Sequence, residues 1–158
     1  TVAAEGKHET LQLLLQNEKV LVNARSANHS ASALHMAAHF GHGETVQLLL
    51  QCERVEAVSI NKWGQNALHV AAARGYDRAV DELLSCARFA SGVDAKDAQE
   101  FTALHYAASK GHVVVIESLL RRIDKQTLHA KTPGGKTAED LTRSDKVKRL
   151  LRQARQAP

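Results

Sequence analysis

His35 and His39 stand four residues apart in a stretch that reads as helix, with His42 three further on. Two imidazoles at i and i+4 share a helix face and could offer nitrogens to one metal ion. No Glu lies between them to serve as the general base of a zinc protease. His35 also belongs to a series, because Leu-His pairs fall at 34/35, 68/69 and 104/105. A residue that returns at one phase of a repeat is better explained by a repeated hydrogen bond than by a single metal. The spacing predicts structural histidines and no metal site.

Other chemistry is tested in the same way. "PGGKT" (Pro133–Thr137) ends like a phosphate-binding loop, but that loop needs a glycine where Ala130 stands, and no buried strand precedes it. A turn at a loop tip accounts for Pro-Gly-Gly. There is no Gly-x-Ser-x-Gly elbow, and neither Cys52 nor Cys86 has a nucleophile's setting. Asp81 and Glu82 fall on the solvent side of a helix. The chain is expected not to be an enzyme and to need no cofactor.

Composition narrows the class. In 158 residues, aromatics make up 4% and Pro appears twice, while Ala and Leu abound. That favours helices packed closely through small side chains over a sheet. No apolar run is long enough to span a bilayer, and two cysteines are too few for a disulfide framework. These features predict a soluble, intracellular protein, cytoplasmic or nuclear. The net charge of +4 is uneven: residues 1–120 carry 10 Lys and Arg against 13 Asp and Glu, and residues 121–158 carry 11 against 4. The basic character belongs to the C-terminal part.

The elements that position these residues repeat. "LHMAAHFGHGETVQLLLQ" from Leu34 returns as "LHVAAARGYDRAVDELLS" from Leu68 and "LHYAASKGHVVVIESLLR" from Leu104. Leu104, Ala107 and Ala108 fall at i, i+3 and i+4, one stripe of a helix whose alanines let a neighbour approach closely. Gly41, Gly75 and Gly111 follow as helix stops. A second helix then presents a stripe such as Val115, Ile116, Leu119 and Leu120. Between units lies a turn-rich segment, clearest at Val93–Thr102, that reads as an extended hairpin tip. A degenerate copy places Thr137 and Ala138 in phase with Thr102 and Ala103. A partial copy opens the chain, where "GKHETLQLLLQ" from Gly6 matches "GHGETVQLLLQ" from Gly41.

"SALHMAA" with "GH", "NALHVAA" with "GY" and "TALHYAA" with "GH" resemble the ankyrin repeat, with Ala in place of the usual Pro. The resemblance covers almost the whole chain. It implies an all-α solenoid of helix pairs joined by β-hairpin loops, about four and a half repeats. One domain over 1–158 is expected, with repeats at about 1–24 (partial), 25–58, 59–94, 95–129 and a 130–158 C-terminal cap. It also implies that the Leu-His histidine bridges neighbouring loops. Departures are Glu100 where a hairpin glycine is usual, and Ser85–Gly92, longer than the usual link. Only Thr1–Glu5 precede Gly6, which predicts a monomeric fragment of a longer protein with less cover over Leu11, Leu14 and Leu15. Glu139 and Asp140 replace the Leu-His pair in a polar cap, and Leu150 and Leu151 are expected to face the stack.

Function then falls to the positions that vary, which in the ankyrin family lie at hairpin tips and first-helix ends. By phase the tips are His29, Ser30 and Ala31; Lys62, Trp63 and Gln65; Ala98, Gln99 and Phe101. The helix ends are His39 and Phe40; Ala73 and Arg74; Ser109 and Lys110. Aromatic and Arg side chains carry much of the energy of many interfaces. Phe40, Lys62, Trp63, Gln65, Arg74, Gln99, Phe101 and Lys110 are therefore the expected contacts of a protein partner, with Trp63 and Phe101 largely exposed. Tyr76, in the turn-histidine slot, is expected to be structural. The rival readings are an adaptor for nucleic acid or an acidic surface through residues 121–158, where Lys146, Arg149 and Arg152 recur at three-residue steps, and a regulatory domain of a larger catalytic protein. Nucleic acid and membrane insertion are not the expected modes.

Overall fold

The structure, a computed structural model, describes residues 7–156; Gly6 and the stub Thr1–Glu5 lie outside the described residues. Each repeat unit begins where a polar residue leaves the extended region. Ser32, Asn66, Thr102 and Thr137 are the N-caps of α2 (Ala33–Phe40), α4 (Ala67–Arg74), α6 (Ala103–Lys110) and α9 (Ala138–Leu141). Each makes a reciprocal capping box with the residue three on. That partner is His35, His69 or His105 in the first three. Asp140 takes the role in the last, accepting the Thr137 N–H at 2.8 Å. The first three helices stop at Gly41, Gly75 and Gly111, all left-handed with φ of +73°, +77° and +74°. At Gly41 the need is double, because the Tyr76 ring of the next unit packs so closely that a Cβ would meet it at 2.7 Å. Tyr76 is thus structural, as its phase predicts.

The second helices are α1 (His8–Gln16), α3 (Gly43–Gln51), α5 (Asp77–Ser85) and α7 (Val113–Leu120). First helices stack on first helices, α2 on α4 on α6 on α9. Second helices do likewise, α1 on α3 on α5 on α7, closed by α10 (Asp145–Gln156). The paired alanines Ala37/Ala38, Ala71/Ala72 and Ala107/Ala108 are wholly buried between the layers, where their lack of bulk permits close packing. Val46 and Leu49, Val80 and Leu83, and Ile116 and Leu119 fill the other layer. The N-terminal copy is less covered, as expected: Leu14 is 37% exposed where its counterpart Leu49 is 1% exposed, although Leu11 is buried.

No strand forms among the described residues. The loops are hairpin-shaped but too short for a ladder. One pair closes each, Asn61 N–H to the Gln65 carbonyl at 2.9 Å and Asp97 N–H to that of Phe101 at 2.9 Å. A side-chain oxygen inside the turn replaces the missing ladder. Asn61 Oδ1 accepts from the N–H of Trp63 and Gln65, and Asp97 Oδ1 from those of Gln99 and Phe101. Successive tips are laced by Lys62 N–H to the His29 carbonyl and Ala98 N–H to that of Trp63, both 3.0 Å. Pro133 holds the same phase in the last loop and has no N–H to continue the series. Glu100 adopts the left-handed φ of +63° that Gly64 and Gly135 adopt at their tips, so this loop keeps its shape without the glycine.

The links between units hold two features that the periodicity did not announce. Arg54 donates to the carbonyls of Leu15, Asn17, Glu18 and Val20 at the end of α1. Arg88, 34 residues on, donates to the phase-equivalent carbonyls of Leu50, Cys52, Glu53 and Val55. A charged fork therefore satisfies the acceptors that a helix C-terminus leaves open. In the next unit Asp124 stands at this phase and caps α8 (Lys125–Leu128) through the Thr127 N–H at 2.6 Å. The long link Ser85–Gly92 contains a 3-10 helix, Ala87–Gly92, which drops Phe89 wholly into the core. Asn66 ties this link down by donating from Nδ2 to the Gly92 carbonyl at 2.8 Å.

In α10 the buried residues are Val147 and Leu151, with Ala154 packed beside them. Leu150, expected to face the stack with Leu151, is only half-buried, because the i, i+4, i+7 stripe starts one turn earlier at Val147.

Candidate functional site on the loop-tip and first-helix face

The variable positions form three rows along one face. The tips give His29, Trp63 and Gln99; the residue inside each Leu-His-x-Ala-Ala frame gives Met36, Val70 and Tyr106; the helix ends give Phe40, Arg74 and Lys110. Beneath them lie the frame histidines. Ser32 N–H donates to His35 Nδ1, so Nε2 carries the proton and donates to the Gln65 carbonyl at 2.8 Å, in the next unit. His105 does the same between the Thr102 N–H and the Ala130 carbonyl. His69 sits likewise between the Asn66 N–H at 3.3 Å and the Phe101 carbonyl at 3.1 Å, and Asn66 Oδ1, in place of a hydroxyl, also lies 2.7 Å from its Nδ1. Burial lowers the pKa of all three rings below the usual histidine value. At His69 the nearby Asp97 opposes that shift.

His35 and His39 do not converge on a shared point. His35 is consumed as above, while His39 Nε2 lies 2.9 Å from a guanidinium nitrogen of Arg74. Burial and then the Arg74 charge lower the pKa of His39. Its neutral ring can accept from Arg74.

A groove of about 430 Å³ opens on this face between the second and third units. Phe40, Trp63, Gln65 and Arg74, four of the eight expected contacts, line it. Phe40 and Trp63 are each 47% exposed. Trp63 does not fold over its own loop. Its ring stacks on His29 of the preceding tip, with centroids 5.0 Å apart. Lys62 stands at the lip, its ammonium 4.6 Å from the Trp63 ring and donating to the Asn28 carbonyl at 2.8 Å.

The remaining three lie outside the groove. Gln99 and Lys110 are exposed further along the face. Phe101 is a correction: it is half-buried, not largely exposed, because its ring packs against His105 at 5.7 Å and Tyr106 at 5.6 Å. Gln65 also serves the frame, donating from Nε2 to the Tyr106 hydroxyl at 2.9 Å. Tyr106 in turn donates to the buried Asp97 carboxylate at 2.6 Å. Burial and this bond push the Tyr106 pKa up to about 12.

Met36, Val70 and Tyr106 were not among the expected contacts, although the sequence carried a signal for them. They are the one position inside the Leu-His-x-Ala-Ala frame that changes from copy to copy. At the basic end, Lys146 and Arg149 are exposed on α10. Arg152 and Arg155 instead hold the two oxygens of Glu139, at 2.6 and 2.7 Å, so part of the charge there is spent on closing the cap.

Comparison with known families agrees with this geometry. Residues 34–129 match a family model described as ankyrin repeats (3 copies), and residues 1–50 match one described as ankyrin repeats (many copies). No curated protein matches the chain in sequence. Among the described residues no helix is long and apolar enough to cross a membrane. With its laced loop tips, bridging histidines and stacked helix pairs, the chain belongs to the ankyrin repeat family.

Proposed function

We propose that this protein is a non-catalytic interaction module that binds a partner protein through the face formed by its loop tips and first helices. Ankyrin repeats are generally protein–protein interaction modules, and the finer assignment rests on one observation. Trp63 and Phe40, two large apolar side chains about half exposed, line a single groove that the frame does not need for packing. Exposed aromatics around a concavity are what interface anchors look like. The reading extends to location inside the cell, in cytoplasm or nucleus, where free thiols such as Cys52 and Cys86 persist.

The test is a photo-crosslinking amino acid placed at position 63 and, separately, at Val114, which is exposed on the second-helix layer. Position 63 should yield a discrete protein adduct and position 114 should not. Trp63→Ala should then abolish binding of the identified partner while leaving the melting temperature within a few degrees. Adducts at Val114 alone would contradict the reading.

A further inference from the structure

Among the described residues, the cations beside the groove have no carboxylate partner, whereas several others on the surface do: Arg25 with Glu56, Arg78 with Glu44, Lys96 with Glu100, Arg152 and Arg155 with Glu139. None of the described residues lining the groove is Asp or Glu. Arg74 makes its side-chain bonds to the His39 imidazole, an uncharged acceptor. Lys62 makes its own to a backbone carbonyl and a π face. Lys110 repeats the Arg74 phase in the next unit and is exposed. In the next loop Asp97 is buried and taken by Tyr106, and Glu100 is paired with Lys96. Beside these cations the groove is apolar, with Met36, Val70 and Ala73 half-buried below the more exposed Phe40 and Trp63.

We infer that the groove takes an extended peptide segment of a partner protein in which a carboxylate side chain lies within a few residues of a large apolar one. The carboxylate pairs with the Arg74 guanidinium, displacing His39 as its acceptor, while Lys62 and Lys110 flank it. The apolar side chain enters between Trp63 and Phe40. A fork of guanidinium donors suits a carboxylate better than any neutral acceptor does, and charge complementarity of this kind sets partner choice. The inference rests on the partner-binding reading above and adds the chemistry of the partner.

The probe is a phage-displayed library of random linear peptides selected against the intact domain, with synthetic copies of the enriched peptides for titration. The expected winners carry Asp or Glu near Leu, Ile, Met, Phe or Trp. Arg74→Ala and Trp63→Ala should each weaken them by at least about tenfold. Lys146→Ala should change nothing. Circular dichroism of each variant confirms that it is folded, and Arg74→Lys should recover only part of the affinity because it lacks the planar fork. Peptides that need Trp63 but show no acid and no Arg74 dependence would overturn this inference and leave the groove as a binding site. Peptides indifferent to Trp63, or oligothymidylate outcompeting them with a steep salt dependence, would overturn both.

Discussion

His35 of one unit donates from Nε2 to the carbonyl of Gln65 in the next, at 2.8 Å and out of solvent. The same ring accepts the Ser32 N–H that opens its own helix, so a single side chain sets a helix start and fixes the neighbouring loop against it. Replacing His35 or His105 by Ala should lower unfolding free energy by about 1–3 kcal/mol, the cost of leaving buried partners unpaired. Chelators should leave the melting curve unchanged. Equilibrium denaturation with and without chelator measures both, and a drop on metal removal would overturn the structural assignment.

The same histidines make stability depend on pH. Their folded pKa values lie below the unfolded value of 6.5 because burial opposes charging. The unfolded chain therefore takes up protons first, and stability that is full above the unfolded pKa is lost as pH falls below it. Each ring contributes a slope of at most about 1.4 kcal/mol per pH unit. The urea midpoint should fall as the pH drops from about 7.5 to 5.5. A flat midpoint across that range would contradict this.

Arg88 and Phe89 are neighbours with opposite roles in one link. Arg88 is exposed yet holds four carbonyls of the preceding unit; Phe89 is wholly buried. Phe89→Ala should cost about 3–5 kcal/mol. Arg88→Lys should cost about 1.5–3 kcal/mol, because an ammonium cannot reproduce the fork. Thermal melts of both variants provide the check, and an unchanged melt for Arg88→Lys would show that the carbonyls are satisfied by solvent.

Less cover over Leu14 than over Leu49 should show in exchange. Repeat stacks are held by neighbour interfaces, and opening begins where those are weakest. Backbone amides around Leu14 should exchange well before those around Leu49 and Leu119. Equal protection at the three positions would mean that the N-terminal helix is held as firmly as the middle of the stack.

The helix pairs were legible because burial recurs with the helical period, and the Leu, Ala and Gly of each copy report it directly. The histidine bridge was legible only through the family resemblance. The Arg54 and Arg88 clamps were not legible, since an arginine in a link resembles any solvated charge. Their trace was the phase alone, Cys-x-Arg returning after 34 residues. Trp63 and Phe101 show the limit for the candidate site. Both lie in loop tips but at different phases. Trp63 matches Gln99 and is half exposed, whereas Phe101 matches Gln65, next to the helix start, where its ring meets His105 and Tyr106.

On the proposed function, frame positions hold the stack and the variable positions on one face bind the partner. Hydrogen exchange of the domain, free and bound to the partner captured through position 63, tests that division most directly. Protection on binding should concentrate at residues 29–31, 62–65 and 98–101 and at the helix ends 39–40, 73–74 and 109–110. Protection centred instead on the second helices, 43–51 and 77–85, or on 145–156, with the loop tips unchanged, would contradict it.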